Sequence, residues 1–81
     1  MPRVTVKFFG PAADLAAKAT ETIEVRDDET LGGLAGTLAE RYPHLGGSMG
    51  VRLAVNRAYV ALDHRLFDGD EVAVIPPVSG G

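Results

Sequence analysis

Residues 27–43, DDETLGGLAGTLAERYP, decide the fold class, because they carry the pattern of a helix in a chain that otherwise alternates like β-strands. The larger apolar side chains recur at intervals of three and four residues, at Leu31, Leu34, Leu38 and Tyr42. This spacing predicts an amphipathic helix of about three turns. Thr30 is suited to cap its N-terminus, and Pro43 ends it. Three glycines weaken the segment, so we expect the helix to be held by packing on a sheet.

Short alternating segments on both sides of this helix predict strands. Two precede it, at residues 3–9 and 21–26, and three follow it, at residues 51–55, 58–62 and 71–75. The alanine-rich residues 12–18 predict a short helical turn, and Asn56-Arg57 predicts a tight turn. With the last strand beside the first, this order predicts an α+β domain of the ubiquitin-like β-grasp type. In that fold a mixed sheet carries one main helix on one face.

The length of 81 residues allows one domain. Hydrophobic residues make up 46% of the chain and charged residues 23%, which excludes a disordered protein. We expect residues 1–75 to form the β-grasp domain and residues 76–81 to form an extended C-terminal tail. The sequence starts directly with strand-like alternation and has no apolar leader, so we also expect a cytoplasmic protein.

The composition argues against several functions. The net charge is −3 and the basic residues are scattered, so neither nucleic acid nor an anionic membrane surface is an expected partner. There is no cysteine and there are only two histidines, which leaves no thiol nucleophile and no expected metal site. Asp68 and Asp70 flank Gly69 in a predicted turn and lack the spacing of a calcium loop. We therefore do not expect an enzyme that acts alone.

The tail, PPVSGG at residues 76–81, is the most informative segment. Pro76 and Pro77 restrict the backbone and project the tail away from the sheet. Gly80 and Gly81 have no Cβ, so they can pass through a narrow tunnel and bring the backbone close to a reactive site. These features favour a terminus that is itself the working part of the protein.

The chemistry open to such a terminus is limited. A terminal carboxylate is ionised at neutral pH and is a poor electrophile. It is activated most simply by attack on the α-phosphate of ATP, which gives an acyl-adenylate, and a partner protein must supply the nucleotide site. A sulfur nucleophile can then displace AMP and leave a thiocarboxylate on Gly81.

The segment DGDEVAVIPPVSGG, residues 68–81, closely resembles the C-terminal motif of the molybdopterin synthase small subunit, the MoaD sulfur carrier. Three further segments resemble the same family: residues 4–9, residues 30–43, and LAVN at residues 53–56 followed by Tyr59-Val60. One departure is AAD at residues 12–14, where relatives often carry Leu-Arg-Glu. The arginine of that run usually helps to bind a partner, so this contact is expected to differ here.

The resemblance implies a β-grasp fold and a cycle of sulfur transfer. A MoeB-like adenylating enzyme of the ubiquitin-activating type uses ATP to activate Gly81, and a sulfur donor converts the adenylate to a thiocarboxylate. The tail then enters the MoaE-like large subunit and gives its sulfur to cyclic pyranopterin monophosphate. Gly81 and Gly80 are the implied catalytic residues, and no cofactor is bound stably. Two small and two large subunits form the implied heterotetramer.

The resemblance also implies a partner-binding surface. Its residues are Phe9, Tyr59, Ile75, Pro76, Pro77, Val78 and Ser79. Phe9 lies on the strand face opposite Phe8, and Tyr59 and Ile75 flank the same surface if the strands pair as predicted. The alternatives are that the next loop or helix covers Phe9, that Val78 is an exposed tail residue with no role, and that Ser79 is a flexible spacer.

Three other functions remain open. A thiamine sulfur carrier uses the same chemistry, but that family is usually shorter and typically lacks the Pro76-Pro77-Val78 approach to the glycines. A ubiquitin-like modifier would present the same activated Gly81 to lysine amines of target proteins. A plain β-grasp interaction module would have an inert tail, and it would tolerate deletion of Gly81.

Overall fold

The computed structural model describes residues 1–43 and 52–76. Five strands and two helices follow one another as β1 (Arg3–Phe8), α1 (Pro11–Ala16), β2 (Thr20–Glu24), α2 (Leu31–Arg41), β3 (Arg52–Val55), β4 (Ala58–Tyr59) and β5 (Glu71–Ile75). The strands form one sheet in the order β2-β1-β5-β3-β4. The first and last strands are parallel neighbours, and the other pairs are antiparallel. The predicted β-grasp architecture is confirmed.

The core lies between one face of the sheet and α2. Alternate residues of the two central strands are buried there, at Val4, Val6, Phe8, Val72 and Val74. They form one cluster with Leu31, Leu34 and Leu38, each of which is at most 5% exposed. Full burial of a side chain of this size contributes about 1.5–3 kcal/mol. Within residues 1–43 and 52–76, every buried side chain is apolar.

Helix α2 begins and ends where the sequence predicts. Thr30 is the N-cap, and its hydroxyl oxygen accepts a hydrogen bond of 3.2 Å from the backbone N–H of Gly33. The side chain thereby satisfies one of the unpaired N–H groups of the first turn. At the other end, the Tyr42 N–H donates to the carbonyl of Leu38 at 2.8 Å, and Pro43 follows.

The fourth strand is shorter than predicted. Residues 58–62 were expected to pair, but β4 ends at Tyr59. The reason is that the following backbone groups have other partners. The Leu62 carbonyl accepts a hydrogen bond of 2.8 Å from Gly32 in the first turn of α2, and the Ala61 carbonyl accepts one of 3.0 Å from His64. The chain therefore turns from the sheet towards the start of the helix.

The second strand also differs from the expected 21–26, because it begins at Thr20 and ends at Glu24. Val25 stays buried next to it, and its N–H donates to the Pro2 carbonyl at 2.9 Å. The predicted start of the third strand at residue 51 and the tail residues 77–81 lie outside the described residues. No described helix has the length and apolarity that crossing a membrane requires.

Both predicted turns are present. Asn56 and Arg57 join β3 to β4 with φ angles of 49° and 71°. Asp68 and Asp70 bind backbone groups near Gly69, which has a φ of 88°. Asp68 accepts from the N–H of Arg3 at 2.8 Å, and Asp70 accepts from the N–H of Phe67 at 2.8 Å.

Candidate functional site

The candidate site lies on the side of the sheet that α2 leaves uncovered, which we call the open face. Side chains alternate along a strand, so the neighbours of the buried valines project to this face. On β1 these neighbours include Thr5 and Lys7, and on β5 they include Ala73 and Ile75; all four are partly exposed. The same alternation that builds the core therefore builds the open face.

Two alanines occupy the middle of a row of paired residues that crosses the open face. Lys7 is opposite Ala73, Ala73 is opposite Ala54, and Ala54 is opposite Tyr59. The methyl groups of Ala54 and Ala73 extend less far from the sheet than the larger side chains around them. They form part of a shallow hollow of about 580 Å³, which Phe9, Tyr59 and Ile75 also line. We call this feature the open-face hollow.

Two aromatic rings stand at the edges of the open-face hollow. Phe9 is 48% exposed and Tyr59 is 58% exposed. Exposed aromatic side chains grouped around apolar surface are typical of places where another protein docks. The open face thus has the character of a docking surface.

Charged side chains also line the open-face hollow. Lys7 Nζ lies 2.9 Å from Glu71 Oε2, across the parallel pairing of β1 and β5. Arg57 reaches the hollow from the turn between β3 and β4. Arg52 does not line the open-face hollow, but its guanidinium lies 4.6 Å from the centre of the Tyr59 ring, a cation–π arrangement that holds this ring at the edge of the sheet.

The hollow lies directly beside the point at which the tail leaves the sheet. β5 ends at Ile75, and Pro76 is the last described residue. The N–H of Phe9 donates to the Val74 carbonyl at 3.2 Å, so Phe9 is fixed next to the end of β5. Gly10 has a φ of 54°, and a Cβ at that position would stand 3.6 Å from Pro76 Cγ. The loop after β1 therefore packs against the base of the tail.

The structure brings together the three predicted partner-binding residues of the folded domain, Phe9, Tyr59 and Ile75. Pro76 is half-buried and follows Ile75 directly in the chain. Neither a described loop nor a described helix buries Phe9, so the alternative in which Phe9 is covered does not hold within the described residues. The remaining predicted site residues lie outside the described part of the chain: Pro77, Val78, Ser79, Gly80 and Gly81. The roles of all these residues stay predictions.

Sequence reasoning missed the smaller and charged members of the hollow. Lys7 and Ala73 stand two residues before Phe9 and Ile75, so strand alternation alone could have assigned them to the same face. Ala54 and Arg57 carry no such local signal, because their position depends on the pairing of β3 with β5.

A raised pKa is found on the other side of the sheet. The pKa of the Tyr42 hydroxyl lies above its usual 10.0 because the group donates a hydrogen bond to Glu21, with a further contribution from burial. Tyr42 packs against the core, so it is separate from the open-face hollow. His64 is exposed in a loop, and the described residues include no cluster of side chains suited to hold a metal ion.

A second hollow, of about 370 Å³, lies between α2 and the β3–β4 edge. It is lined mainly by aliphatic side chains, among them Leu31, Leu38 and Leu62, and it shares Tyr59 with the open-face hollow. Of the predicted site residues in the described part of the chain, only Tyr59 lines it.

Comparison with known proteins gives a consistent result over nearly the whole chain. The sequence model of the ThiS family matches residues 6–81. The molybdopterin synthase sulfur carrier subunit of Mycobacterium tuberculosis is 37% identical over 83 aligned positions, which span all of both chains.

Solved structures agree with the sequence match. The crystal structure of small archaeal modifier protein 1 (SAMP1) from Haloferax volcanii superposes with a TM-score of 0.83 and 30% identity, covering 98% of this chain and 99% of that one. A complex of subunits 1 and 2 of molybdopterin-converting factor from Helicobacter pylori contains a chain with a TM-score of 0.70 and 32% identity, covering 98% and 99%. Fold, sequence and full-length coverage lead to one conclusion: the chain belongs to the ThiS family.

Proposed function

We propose that this protein is the sulfur carrier subunit of a molybdopterin synthase. The observation that carries the proposal is the position of the open-face hollow at the base of the tail. A partner that covers Phe9, Tyr59 and Ile75 would receive the tail as it leaves Pro76. The relative from Mycobacterium tuberculosis, which matches from end to end, supports the same function.

In the proposed cycle the carboxylate of Gly81 is the reacting group. One of its oxygens attacks the α-phosphate of ATP, pyrophosphate leaves, and an acyl-adenylate forms. A sulfur nucleophile then displaces AMP, which leaves a thiocarboxylate. Transfer of that sulfur to cyclic pyranopterin monophosphate, with water supplying the oxygen, regenerates the carboxylate. Each molybdopterin needs two sulfur atoms, so two loaded carriers are consumed.

The folded domain supplies recognition in this cycle, and its partners supply the chemistry. A MoeB-like enzyme would bind ATP and activate the tail, and a MoaE-like large subunit would bind the pterin. The Helicobacter pylori complex of subunits 1 and 2 supports a large-subunit partner. We further propose an assembly of two small and two large subunits, with the cytoplasm as its location.

The test is intact-protein mass spectrometry. The full chain is incubated with ATP, the activating enzyme of its own organism and a sulfide source. The expected result is a mass gain equal to replacing one oxygen by sulfur, absent without ATP and absent when Gly81 is deleted. Circular dichroism of the deletion variant checks that its fold is intact. No mass gain, with an enzyme that loads another carrier under the same conditions, would overturn the proposal.

A protein modifier is the second candidate. It is favoured by the likeness to Haloferax volcanii small archaeal modifier protein 1, which is 30% identical across almost the whole chain. Both functions use an activated Gly81, and they differ in whether sulfide or a lysine amine attacks it. Peptide mapping of proteins from the native host separates them, because a modifier leaves the C-terminal residues of this chain attached to target lysines.

A further inference from the structure

Arg57, in the turn between β3 and β4, has a backbone conformation that arginine does not favour. Asn56 and Arg57 have φ angles of 49° and 71°, so both are left-handed. In two-residue hairpin turns of this kind asparagine is well suited to the first position and glycine to the second. Arg57 therefore occupies a position at which its own backbone is strained. Strain of this kind at a surface turn points to a use for the side chain.

Arg57 also differs electrostatically from its neighbours on the open-face hollow. Lys7 and Glu71 line the same hollow and form an ion pair with each other. Among the described residues, no carboxylate oxygen lies within 4.0 Å of a guanidinium nitrogen of Arg57. Among the described residues that line the hollow, Arg57 is the one charged side chain without an ion-pair partner, on a chain whose net charge is −3.

The chemistry of the guanidinium indicates which group on a partner protein Arg57 would bind. Arginine presents a planar fork of donors that matches a carboxylate through two hydrogen bonds. At the rim of an apolar docking surface such a pair contributes mainly to the rate and specificity of association. A partner that covers Phe9 and Tyr59 would bring its own surface within reach of the turn.

We infer that Arg57 is a partner-specificity residue, which pairs with a carboxylate on the large synthase subunit when that subunit covers the open face. This inference rests on the proposed function and adds the chemistry that the partner must present beside its apolar contact. Glycine would fit the turn better but could not make the pair, which would account for arginine at this strained position.

The test uses one substitution with opposite effects on folding and on binding. Arg57→Gly relieves the strain, so the melting temperature is expected to rise by about 4–8 °C. The same change removes the charge. Association with the large subunit of the same organism, followed by surface plasmon resonance, is expected to weaken about two- to fivefold at about 50 mM NaCl. The loss is expected mainly in the association rate, and it should disappear at about 500 mM NaCl.

Charge reversal supplies the matched controls. Arg57→Glu is expected to weaken binding by about tenfold or more at low salt, because like charges then face one another. Arg26→Glu makes the same change in net charge on a loop away from the open face, where Arg26 lies 3.8 Å from Glu29. It is expected to leave affinity within about twofold.

The outcomes separate the inference from the proposed function. If the unaltered chain binds the large subunit and Arg57→Gly binds equally well at low salt, the inference is wrong and the proposed function stands. Equal effects of Arg57→Glu and Arg26→Glu would also overturn it, because net charge alone would then explain the loss. If the unaltered chain does not bind the large subunit at all, both are overturned.

Discussion

The phenol hydroxyl of Tyr42, just after the last turn of α2, donates a hydrogen bond to the carboxylate of Glu21 on β2. The Tyr42 ring packs edge-on against Phe8, with ring centres 5.3 Å apart. Arg41 Nη1 binds the other oxygen of the same carboxylate at 2.6 Å. These contacts join the C-terminal end of the helix to the edge strand of the sheet.

The Tyr42–Glu21 hydrogen bond makes part of the stability depend on pH. The hydrogen bond raises the pKa of Tyr42 in the folded state, so folding favours the protonated phenol. The stability it contributes is complete below pH 10.0, the usual pKa, and is lost as pH rises through the higher folded pKa. Tyr42→Phe is expected to lower the free energy of unfolding by about 1 kcal/mol at pH 7 and to remove this alkaline loss. Urea unfolding between pH 7 and pH 11 measures both effects.

Tyr59→Phe is the matched control for this prediction, because Tyr59 is 58% exposed and its hydroxyl makes no hydrogen bond to described residues. Its unfolding free energy is expected to stay within about 0.5 kcal/mol of the unaltered chain. An alkaline loss that persists in Tyr42→Phe would show that another group causes it.

Two glycines of α2 differ in the space around them. A Cβ at Gly36 would meet no heavy atom within 4 Å, whereas one at Gly32 would stand 3.2 Å from the backbone oxygen of Leu62. Gly36→Ala is therefore expected to stabilise the protein by about 0.5–1 kcal/mol, because alanine restricts the unfolded chain and favours the helix.

Gly32→Ala is the comparison for Gly36→Ala. The stability that alanine adds to the helix is offset because the backbone at Leu62 has to move. The Gly32 N–H also donates a hydrogen bond to the Leu62 carbonyl, which this movement would disturb. We expect no net stabilisation. Denaturant unfolding of both variants decides the point, and an equal gain at the two positions would contradict the close approach at Gly32.

Asn56 connects the β3–β4 turn to β5 with both ends of its amide. Its oxygen accepts from the Glu71 N–H at 2.9 Å, and its nitrogen donates to Asp70 at 3.0 Å. Asn56→Gly keeps the left-handed backbone accessible, loses these bonds and leaves the unfolded chain less restricted, at an expected cost of about 1–2 kcal/mol. Asn56→Ala loses the same bonds and adds backbone strain, so it is expected to cost about 1 kcal/mol more. Thermal unfolding of the pair measures the difference, and a smaller cost for Asn56→Ala than for Asn56→Gly would contradict strain at this left-handed position.

Matched substitutions at Phe9 and Phe67 test whether the open face is the docking surface. The two side chains are 48% and 55% exposed, but only Phe9 lines the open-face hollow. Phe9→Ser is expected to weaken binding to the large subunit more than tenfold, since aromatic anchors dominate interface energies. Phe67→Ser is expected to change it less than twofold. Calorimetric titration gives both values, and a larger loss for Phe67→Ser would move the docking surface elsewhere.

Local patterns were sufficient for the existence of the main elements, whereas the larger residues of the predicted site came from strand alternation together with the family resemblance. The spacing of Leu31, Leu34 and Leu38 predicts α2, and outward Phe9 and Ile75 are conspicuous beside buried neighbours. Strand alternation also places Ala73 on the face of Ile75, whereas the position of Ala54 at the hollow depends on the pairing of β3 with β5.

Features that depend on pairing between residues far apart in the chain could not be predicted from local sequence patterns. The ion pair of Lys7 with Glu71 requires the register of the parallel strands. The end of β4 at Tyr59 depends on the hydrogen bond between Gly32 and Leu62, which no pattern within residues 58–62 reveals. The proposed chemistry of Gly80 and Gly81 concerns residues outside the described part of the chain, so it stays a prediction.

The parallel pairing of β1 with β5 also determines how the domain bears mechanical load. Thr5 is opposite Glu71 and Phe8 is opposite Val74, so the start of β1 and the end of β5 lie at opposite ends of the ladder. A pull on the tail against the N-terminus therefore loads these hydrogen bonds in shear, and they must break together rather than one after another. Under the proposed function, a partner that draws on the tail would load the ladder in this direction, in which its hydrogen bonds resist together.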